Sequence, residues 1–538
     1  GVQVGGGQNV TEITLSLEES RTQLGEKVDG LYPLYWSSED KISVNGVESA
    51  AAVIDDSNPA SATFTVAGEL ATPYCIAYPA APAGQVLFAE NQEHAGNGSF
   101  GNGVSTMYAY SNGGGVTLNH LTGVLKIGIT GNATLAYAQI SNANRLPIAG
   151  AFDFDFEKGE AKATDASKYV INYNFPVTAD AEGFVLSSEP QYIHVAVPAG
   201  VYDELYVTLY DKEGGVMYAT VKADEQKPLA VGKVREFKSP IAYAPNAEAF
   251  IIKDADSLLE FASQAATSSK DALFVADVDM TGSSWTPIEG YSGTIFGNGY
   301  AIKGLTAPLF GTTNASFKGL HLVDVDINET KTPNVGPFAR HMTATAAIFP
   351  KFEHCSASGK IVVDCQDYVY QGKGSYIEFA VGGIVGYHGM ANLVIENCTV
   401  KNLELTAVGG VGAITGLVST GNTITGCVVE NVVLNKSKAA SNPSIALAAG
   451  TWDGPNFTIT NNSFTNVTLN GTSKEYPTYS GIYGSNYSGS TTIPACTVEN
   501  NTTDKITNNL VQLPFVSDAT KLVDSLLSGE DAVLAGDL

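Results

Sequence analysis

Two pairs of aspartates are the residues of this chain best suited to chemistry. Asp277 and Asp279, and Asp324 and Asp326, each alternate with an apolar residue. In a β-strand both carboxylates of such a pair leave the same face. Paired carboxylates at working separation hydrolyse glycosidic bonds, and clustered aspartates hold calcium. No Arg or Lys stands out as a partner of either pair, and Asp324 falls where the chain must turn. A solvated acidic face is therefore preferred to a catalytic or calcium site. The seven histidines (94, 120, 194, 321, 341, 354 and 388) are scattered, with no His-x-x-x-His pair. Neither a Gly-x-Ser-x-Gly elbow nor a phosphate-loop lysine motif occurs. The run Gly96-Asn-Gly-Ser-Phe-Gly-Asn-Gly reads as a hairpin tip. No catalytic, cofactor-binding or metal-binding residue is assigned, no cofactor is expected, and the chain reads as no enzyme.

Binding chemistry is better supplied. Tyr368, Tyr370 and Tyr376 crowd one stretch, and Tyr476, Tyr479, Tyr483 and Tyr487 another. Tyrosine offers an apolar face and a hydroxyl without a charge, which suits stacking on sugars or contact with protein. The equal alternative is that these rings seal loops against the body of the fold.

The element that must carry them is a repeat. Copies centred on Leu320, Cys355, Cys398, Cys427, Asn462 and Cys496 recur at intervals of 29 to 43 residues. Two residues later comes Leu322, Ala357, Val400, Val429, Phe464 or Val498, read as pointing inward. Four residues later comes Asp324, Gly359, Asn402, Asn431, Asn466 or Asn500, types that tolerate a left-handed backbone. Alternation, a corner and alternation again is how a strand passes from one sheet of a solenoid to the next. Upstream of most corners lies a small-residue strand, such as Val381-Gly-Gly-Ile-Val-Gly or Val411-Gly-Ala-Ile-Thr-Gly, expected to make a third side. One coil cannot bury its own apolar face, so several must stack. A slot that takes Cys, Leu or Asn reads as a packing column, with the thiols as small hydrophobes. A metal column or a disulfide ladder is disfavoured, since no Cys-x-x-Cys spacing exists. Asp254 to Ser268 is expected to form an amphipathic helix capping the near end, with Asp254 or Asp256 as N-cap. Ser517 to Leu527 is expected to form another at the far end.

Between the first helix and the first corner run Phe274-Val-Ala-Asp-Val-Asp-Met, Trp285-Thr-Pro-Ile and Ser292-Gly-Thr-Ile-Phe-Gly-Asn-Gly-Tyr, then Pro308-Leu-Phe-Gly. This resembles the entry coil of bacterial surface proteins with glycine-rich GLUG-type repeats. The resemblance covers residues 250 to about 505; it implies a β-helix and no particular activity.

Residues 1 to about 240 have another texture. Short alternating strands (Val10 to Leu17, Lys41 to Val44, Ala62 to Val66, Leu121 to Thr130, Gln191 to Pro198, Leu205 to Tyr210) lie between turn signals such as Asn45-Gly46. Strands without intervening helices predict antiparallel sandwiches, two of them for this length, with a break in the 131–151 region. Trp36 is read as core rather than as a ligand platform. The stretch Leu31-Tyr-Pro-Leu-Tyr-Trp-Ser-Ser-Glu-Asp-Lys-Ile, with His120-Leu-Thr-Gly-Val-Leu-Lys-Ile and Pro147-Ile-Ala-Gly-Ala-Phe, is similar to fimbrillin-like proteins of Bacteroidales. That resemblance implies transthyretin-like lobes and a surface pilus or anchored adhesin. It also implies cleavage after an arginine that follows a removable first strand, here Val10 to Leu17 and Arg21, with a neighbour's strand filling the groove. The reading preferred for Arg21 is an ordinary solvated residue at a strand end.

With 55 acidic and 29 basic residues the net charge is −26, which disfavours a nucleic-acid partner. No run of eighteen apolar residues occurs, so no transmembrane segment is expected. The glycine-rich start is read as a tether, and the fimbrillin resemblance implies a lipid anchor ahead of it on an outer membrane.

The expectation is thus an all-β chain: residues 1–9 a flexible tether, 10–135 and 136–245 two transthyretin-like antiparallel β-sandwich lobes, 246–510 a right-handed parallel β-helix with an N-terminal helical cap, and 511–538 a helical tail. Its expected role is a cell-surface or fimbrial adhesin that binds a glycan or protein and joins other pilus subunits through β-strand addition. The alternatives are a carbohydrate-active β-helix enzyme on a pilin-like stalk and a purely structural pilus subunit.

Overall fold

Glycine, asparagine and aspartate placed at regular offsets decide where this chain turns, and the turns decide the fold. The computed structural model describes residues 2–5, 8–17, 35–95, 103–113, 115–224, 226–345, 347–365, 380–388, 392–407, 409–436, 445–473, 481–487, 492 and 494–512. The expected helix at Ser517 to Leu527 lies outside them. The chain is all-β and divides into two compact units, Gly1–Ala247 and Glu248–Leu538.

In the first unit the predicted strands appear as Gln8–Ser16, Ser43–Val44, Asn58–Ala67, Thr122–Thr130, Gln191–Pro198 and Glu204–Asp211. Pairing is mostly antiparallel, but Thr122–Thr130 runs parallel to Val234–Ala242, and Gly115–Thr117 parallel to Gln8–Ser16. The sheets are therefore mixed rather than purely antiparallel as expected. One core gathers Ile13, Leu15, Trp36, Phe64, Ile76 and Leu118, with Trp36 wedged edge-on against Phe64 and Tyr78. Another gathers Leu125, Ile140, Ile171, Val195, Val207 and Phe237. Strands on both sides of residue 135 serve this second core, so a lobe boundary at 135 cuts through it. The reading of residues 1–9 as a flexible tether also needs correction. Val2–Gly5 is a strand paired antiparallel with Gln8–Thr11, whose open edge supplies backbone partners.

The second unit is built from parallel sheets that the chain visits in turn. One of nine strands runs from Phe250–Ile252 to Cys496–Glu499, and one of eight from Val278–Asp279 to Thr502–Gln512. A third, of six strands, runs from Phe310–Thr313 to Tyr483–Asn486. Every strand pairs with the equivalent strand of the next rung, so backbone groups are satisfied between rungs. The near end is sealed by the helix Ala255–Gln264, N-capped by Asp254 in a capping box with Ser257. Its Phe261 packs edge-on against Tyr291, which stacks on Phe310, which meets Phe317.

From Ser316–Lys318 onward each rung has two left-handed residues, one between the nine- and eight-stranded sheets and one bending the strand of the eight-stranded sheet. The first precedes the repeat's central position: Gly319, His354, Asn397, Gly426, Asn461 and Asn500 all have φ between 51° and 65°. The second is Asp324, Gly359, Asn402, Asn431, Asn466 or Lys505. This corrects the sixth copy of the repeat. Cys496 pairs with Phe457 on the nine-stranded sheet, and Thr502 pairs with Ser463, so the central position of that rung is Asn501. Asn500 is the first corner of its rung, not the second. The inner column therefore runs Leu320, Cys355, Cys398, Cys427, Asn462, Asn501 and contains three thiols rather than four.

The column accepts both thiol and amide because its occupants reach carbonyls at the corner. Cys427 Sγ lies 3.7 Å from the Ile395 carbonyl of the rung before. Asn462 Nδ2 donates to Ile424 O at 3.1 Å, and Asn501 Nδ2 to Ile459 O at 2.8 Å, in the same relation. Asn462 Oδ1 also accepts from Cys427 N at 2.8 Å, so a buried amide here is well satisfied.

The small-residue segments do not form single strands, as expected, but fold back on themselves. Ala380–Gly382, Gly410–Gly412 and Ile445–Ala446 make a separate three-stranded sheet, and after a two-residue turn the chain continues into the six-stranded one. A Cβ on Gly416 would meet the backbone of Val381 and Ala380, and one on Gly450 the backbone of Val411 and Gly410. Glycine is what lets the two layers touch.

Candidate functional site

The strands that precede the tyrosine clusters end on one side of the eight-stranded sheet. Strands of the eight-stranded sheet end at Val363, Ala407, Lys436 and Ser473, and the chain rejoins at Ala380, Gly410, Ile445 and Gly481. Val363, Ala407 and Lys436 are register partners, as are Ala380 and Gly410, so successive excursions stem from equivalent places. Tyr368, Tyr370, Tyr376, Tyr476 and Tyr479 lie outside the described residues, as does Arg21.

The stem of the first excursion is pinned by an ion pair. Arg340 Nη1 lies 2.9 Å from Glu329 Oε1, and both side chains are largely buried. Glu329 Oε1 also accepts from Thr332 N at 3.1 Å, and Glu329 O accepts from Asp364 N at 2.8 Å. On the return, Ala380 N donates to Asn334 Oδ1 at 3.0 Å and Ala380 O accepts from Val335 N at 3.1 Å. Cys365 sits at this stem, its thiol pushed up to about 11 by burial and then by Glu329 and Asp364. It is a protonated, inert thiol at neutral pH. On the adjoining strands His341 packs against the Tyr387 ring at 4.6 Å, and burial lowers its pKa. Further along, Lys436 is buried to 4% exposure, and desolvation pulls its ammonium down to about 8.

Two of the predicted contact tyrosines can be placed. Tyr483 is fully buried and edge-on to Phe457, so it is a core residue and not a ligand contact. Its strand, Tyr483–Asn486, is buried along its whole length. Tyr487 is half-buried, its N–H donating to Trp452 O at 3.1 Å.

Three of the four paired aspartates have structural tasks. Asp277 accepts from Ala301 N at 2.9 Å, while Asp279 accepts from Thr281 N at 2.9 Å and stands in register with Lys303. Asp324 is a left-handed corner. Sequence reasoning missed two Ser–His contacts, because the partners are far apart in the chain or read as ordinary strand residues. Ser105 Oγ lies 3.1 Å from His120 Nδ1, and His321 Nδ1 lies 2.6 Å from Ser356 Oγ. Both imidazoles are buried, and neither pair lines the open clefts beside Arg235, Tyr243 and Phe154, of about 420, 730 and 510 Å³. Among the described residues no group of three or more His, Cys, Asp or Glu is arranged to hold a metal ion.

No family model matches the chain, and no curated protein matches it either. Among solved structures it is similar to a crystal structure from Bacteroides ovatus that carries the provisional name of an immunoglobulin A1 protease. The identity is 16%, the TM-score 0.34, and the match covers 51% of this chain and 80% of that one. It is also similar to a protein named IgA1 protease, at 14% identity and a TM-score of 0.34, covering 59% of this chain and 26% of that one. The expectation that the chain is no enzyme is accordingly withdrawn, since both structures are named as proteases. At these scores the likeness supplies no residue roles, and none is carried over.

Proposed function

We propose that this chain is a cell-surface adhesin, fimbrillin-like in its first unit, whose second unit holds binding excursions along one edge of a right-handed parallel β-helix. The observation that carries the reading is that the strands preceding both tyrosine-rich stretches, Ser356–Val363 and Ser463–Ser473, end on the same side of the eight-stranded sheet, where Val363, Ala407 and Lys436 are register partners. Right-handed winding follows from the hand that parallel crossovers take. The first unit is read as two transthyretin-like lobes, and the protein as lipid-anchored or pilus-borne at an outer membrane. Strand Gln8–Ser16 supports a role in assembly. It lies between Asn58–Ala67 and Gly115–Thr117, with Ile13, Leu15 and Leu17 buried. Its removal after Arg21 would open an apolar groove for a neighbour's strand.

A glycan and host-protein array tests the binding claim, using the full chain and a variant with Tyr368, Tyr370 and Tyr376 changed to Ala. Binding that the triple variant loses supports it. Turnover of a bound glycan, or cleavage of immunoglobulin A1, would make the chain an enzyme, and Ser356→Ala and Asp324→Ala would then locate the chemistry. Polymerisation after an arginine-specific protease, with no ligand bound, would leave a structural pilus subunit.

A further inference from the structure

The three thiols of the inner column are in register on consecutive rungs. Ser356 pairs with Thr399 and Thr399 with Val428, which sets Cys355, Cys398 and Cys427 one above the next. Thr399 N donates to Cys355 O at 2.8 Å and Val428 N to Cys398 O at 2.9 Å, so the backbones are locked at the cysteines themselves. All three side chains point into the core, at 1% or 2% exposure. Neighbouring strands lie about 4.8 Å apart, and a disulfide takes Cα atoms roughly 4.4 to 6.8 Å apart. Two rungs are about 9.6 Å apart, beyond that reach.

We infer that Cys398 forms an inter-rung disulfide with Cys355 or Cys427 when the chain folds in the presence of a disulfide donor. The central position makes Cys398 the obligatory member, because Cys355 and Cys427 are too far apart to join each other. The exchange balances simply. A Cys398 thiolate attacks the donor disulfide and releases one donor thiol. The second cysteine's thiolate then attacks the mixed disulfide and releases the other. Two electrons and two protons pass to the donor, and one S–S bond remains in the chain.

Timing follows from burial. In the folded stack Cys398 is held protonated by desolvation, and Cys427 by its contact with Cys398 and by desolvation. A thiol that does not ionise does not exchange. The bond therefore forms while the rungs are still assembling, and the finished stack then shields it from reductants. A chain folded under reducing conditions keeps three free thiols. The remaining cysteines stand elsewhere: Cys75 in the first unit, Cys365 at the excursion stem, Cys496 opposite Phe457.

The test refolds the full chain in a mixture of oxidised and reduced glutathione, alkylates it in denaturant without reduction, and maps peptides by mass spectrometry. Of the six cysteines, four should be alkylated and one bridge should contain Cys398. Cys398→Ala should leave no bridge. Cys355→Ala and Cys427→Ala should each keep one, which holds the test open if the first variant folds poorly. Six alkylated thiols in the wild-type chain, a bridge lacking Cys398, or a Cys355–Cys427 bridge in Cys398→Ala would each overturn the inference.

Discussion

Lys505 stands at φ 55° in the corner position that Asn466, Asn431 and Asn402 fill on the preceding rungs. A side chain other than Gly or Asn is penalised there by about 1–2 kcal/mol, because its Cβ crowds the next carbonyl. Asparagine would relieve the strain and extend a ladder in which Asn466 Nδ2 already donates to Asn431 Oδ1 at 2.7 Å. Lys505→Asn should stabilise the second unit by about 1 kcal/mol, read as a higher denaturant midpoint at unchanged slope. Lys436 makes a pH-dependent case. Its ammonium titrates near about 8 in the fold against 10.5 when exposed. Between those values the unfolded chain holds more protons than the folded one, so stability rises with pH from about 8 to about 10.5 and is flat below. Lys436→Met should remove a rise on the order of 3 kcal/mol, measured as the difference between the two chains' stability–pH curves. Neither residue was legible from sequence. A lysine is not a corner type, and a lysine at a strand end reads as exposed.

At the scale of elements, what the sequence disclosed and what it hid have the same physical source. Five of the six second corners were legible because a rung cannot turn without a residue that accepts positive φ, and Asn, Asp and Gly are few enough to be counted. The last rung was misread because Asn501-Thr-Thr-Asp-Lys-Ile carries little apolar signal, while Cys496 with Val498 and Asn500 imitates the pattern five residues early. The helix at Ala255–Gln264 was legible from its cap and its buried Leu258 and Phe261. The doubling of the small-residue segments into two layers was not, since close backbone approach leaves no periodicity, only glycine. That approach is testable. Gly416→Ala drives a methyl into the Val381 backbone, which has no rotamer to yield, and should destabilise the second unit by about 3 kcal/mol or more. Gly115→Ala, where nothing lies within 4 Å, is the control and should be near neutral in the same thermal or chemical melt.

The whole molecule joins two kinds of cooperativity. In the first unit, strands distant in sequence share common cores, as Ile13 and Leu118 do in one and Leu125 and Phe237 in the other, so their side chains stand or fall together. In the second unit each strand pairs with the same element one rung away, and stability approximates a sum of rung interfaces. The change in texture near residue 240 was visible in the sequence because alternating strands gave way to a repeat with corners, and the units divide at Ala247. Two such bodies should unfold by separate routes. Chains 1–247 and 248–538 should each fold when expressed alone. Calorimetry of the full chain should show two transitions that match those of the parts. Ending the chain at Glu499, which removes the strand Thr502–Gln512, should lower only the transition of the second unit, because Ser463–Ser473 loses one of its two partners while the cores of the first unit are untouched. A single shared transition, or a first unit that fails to fold without the stack, would show that the two cores depend on one another.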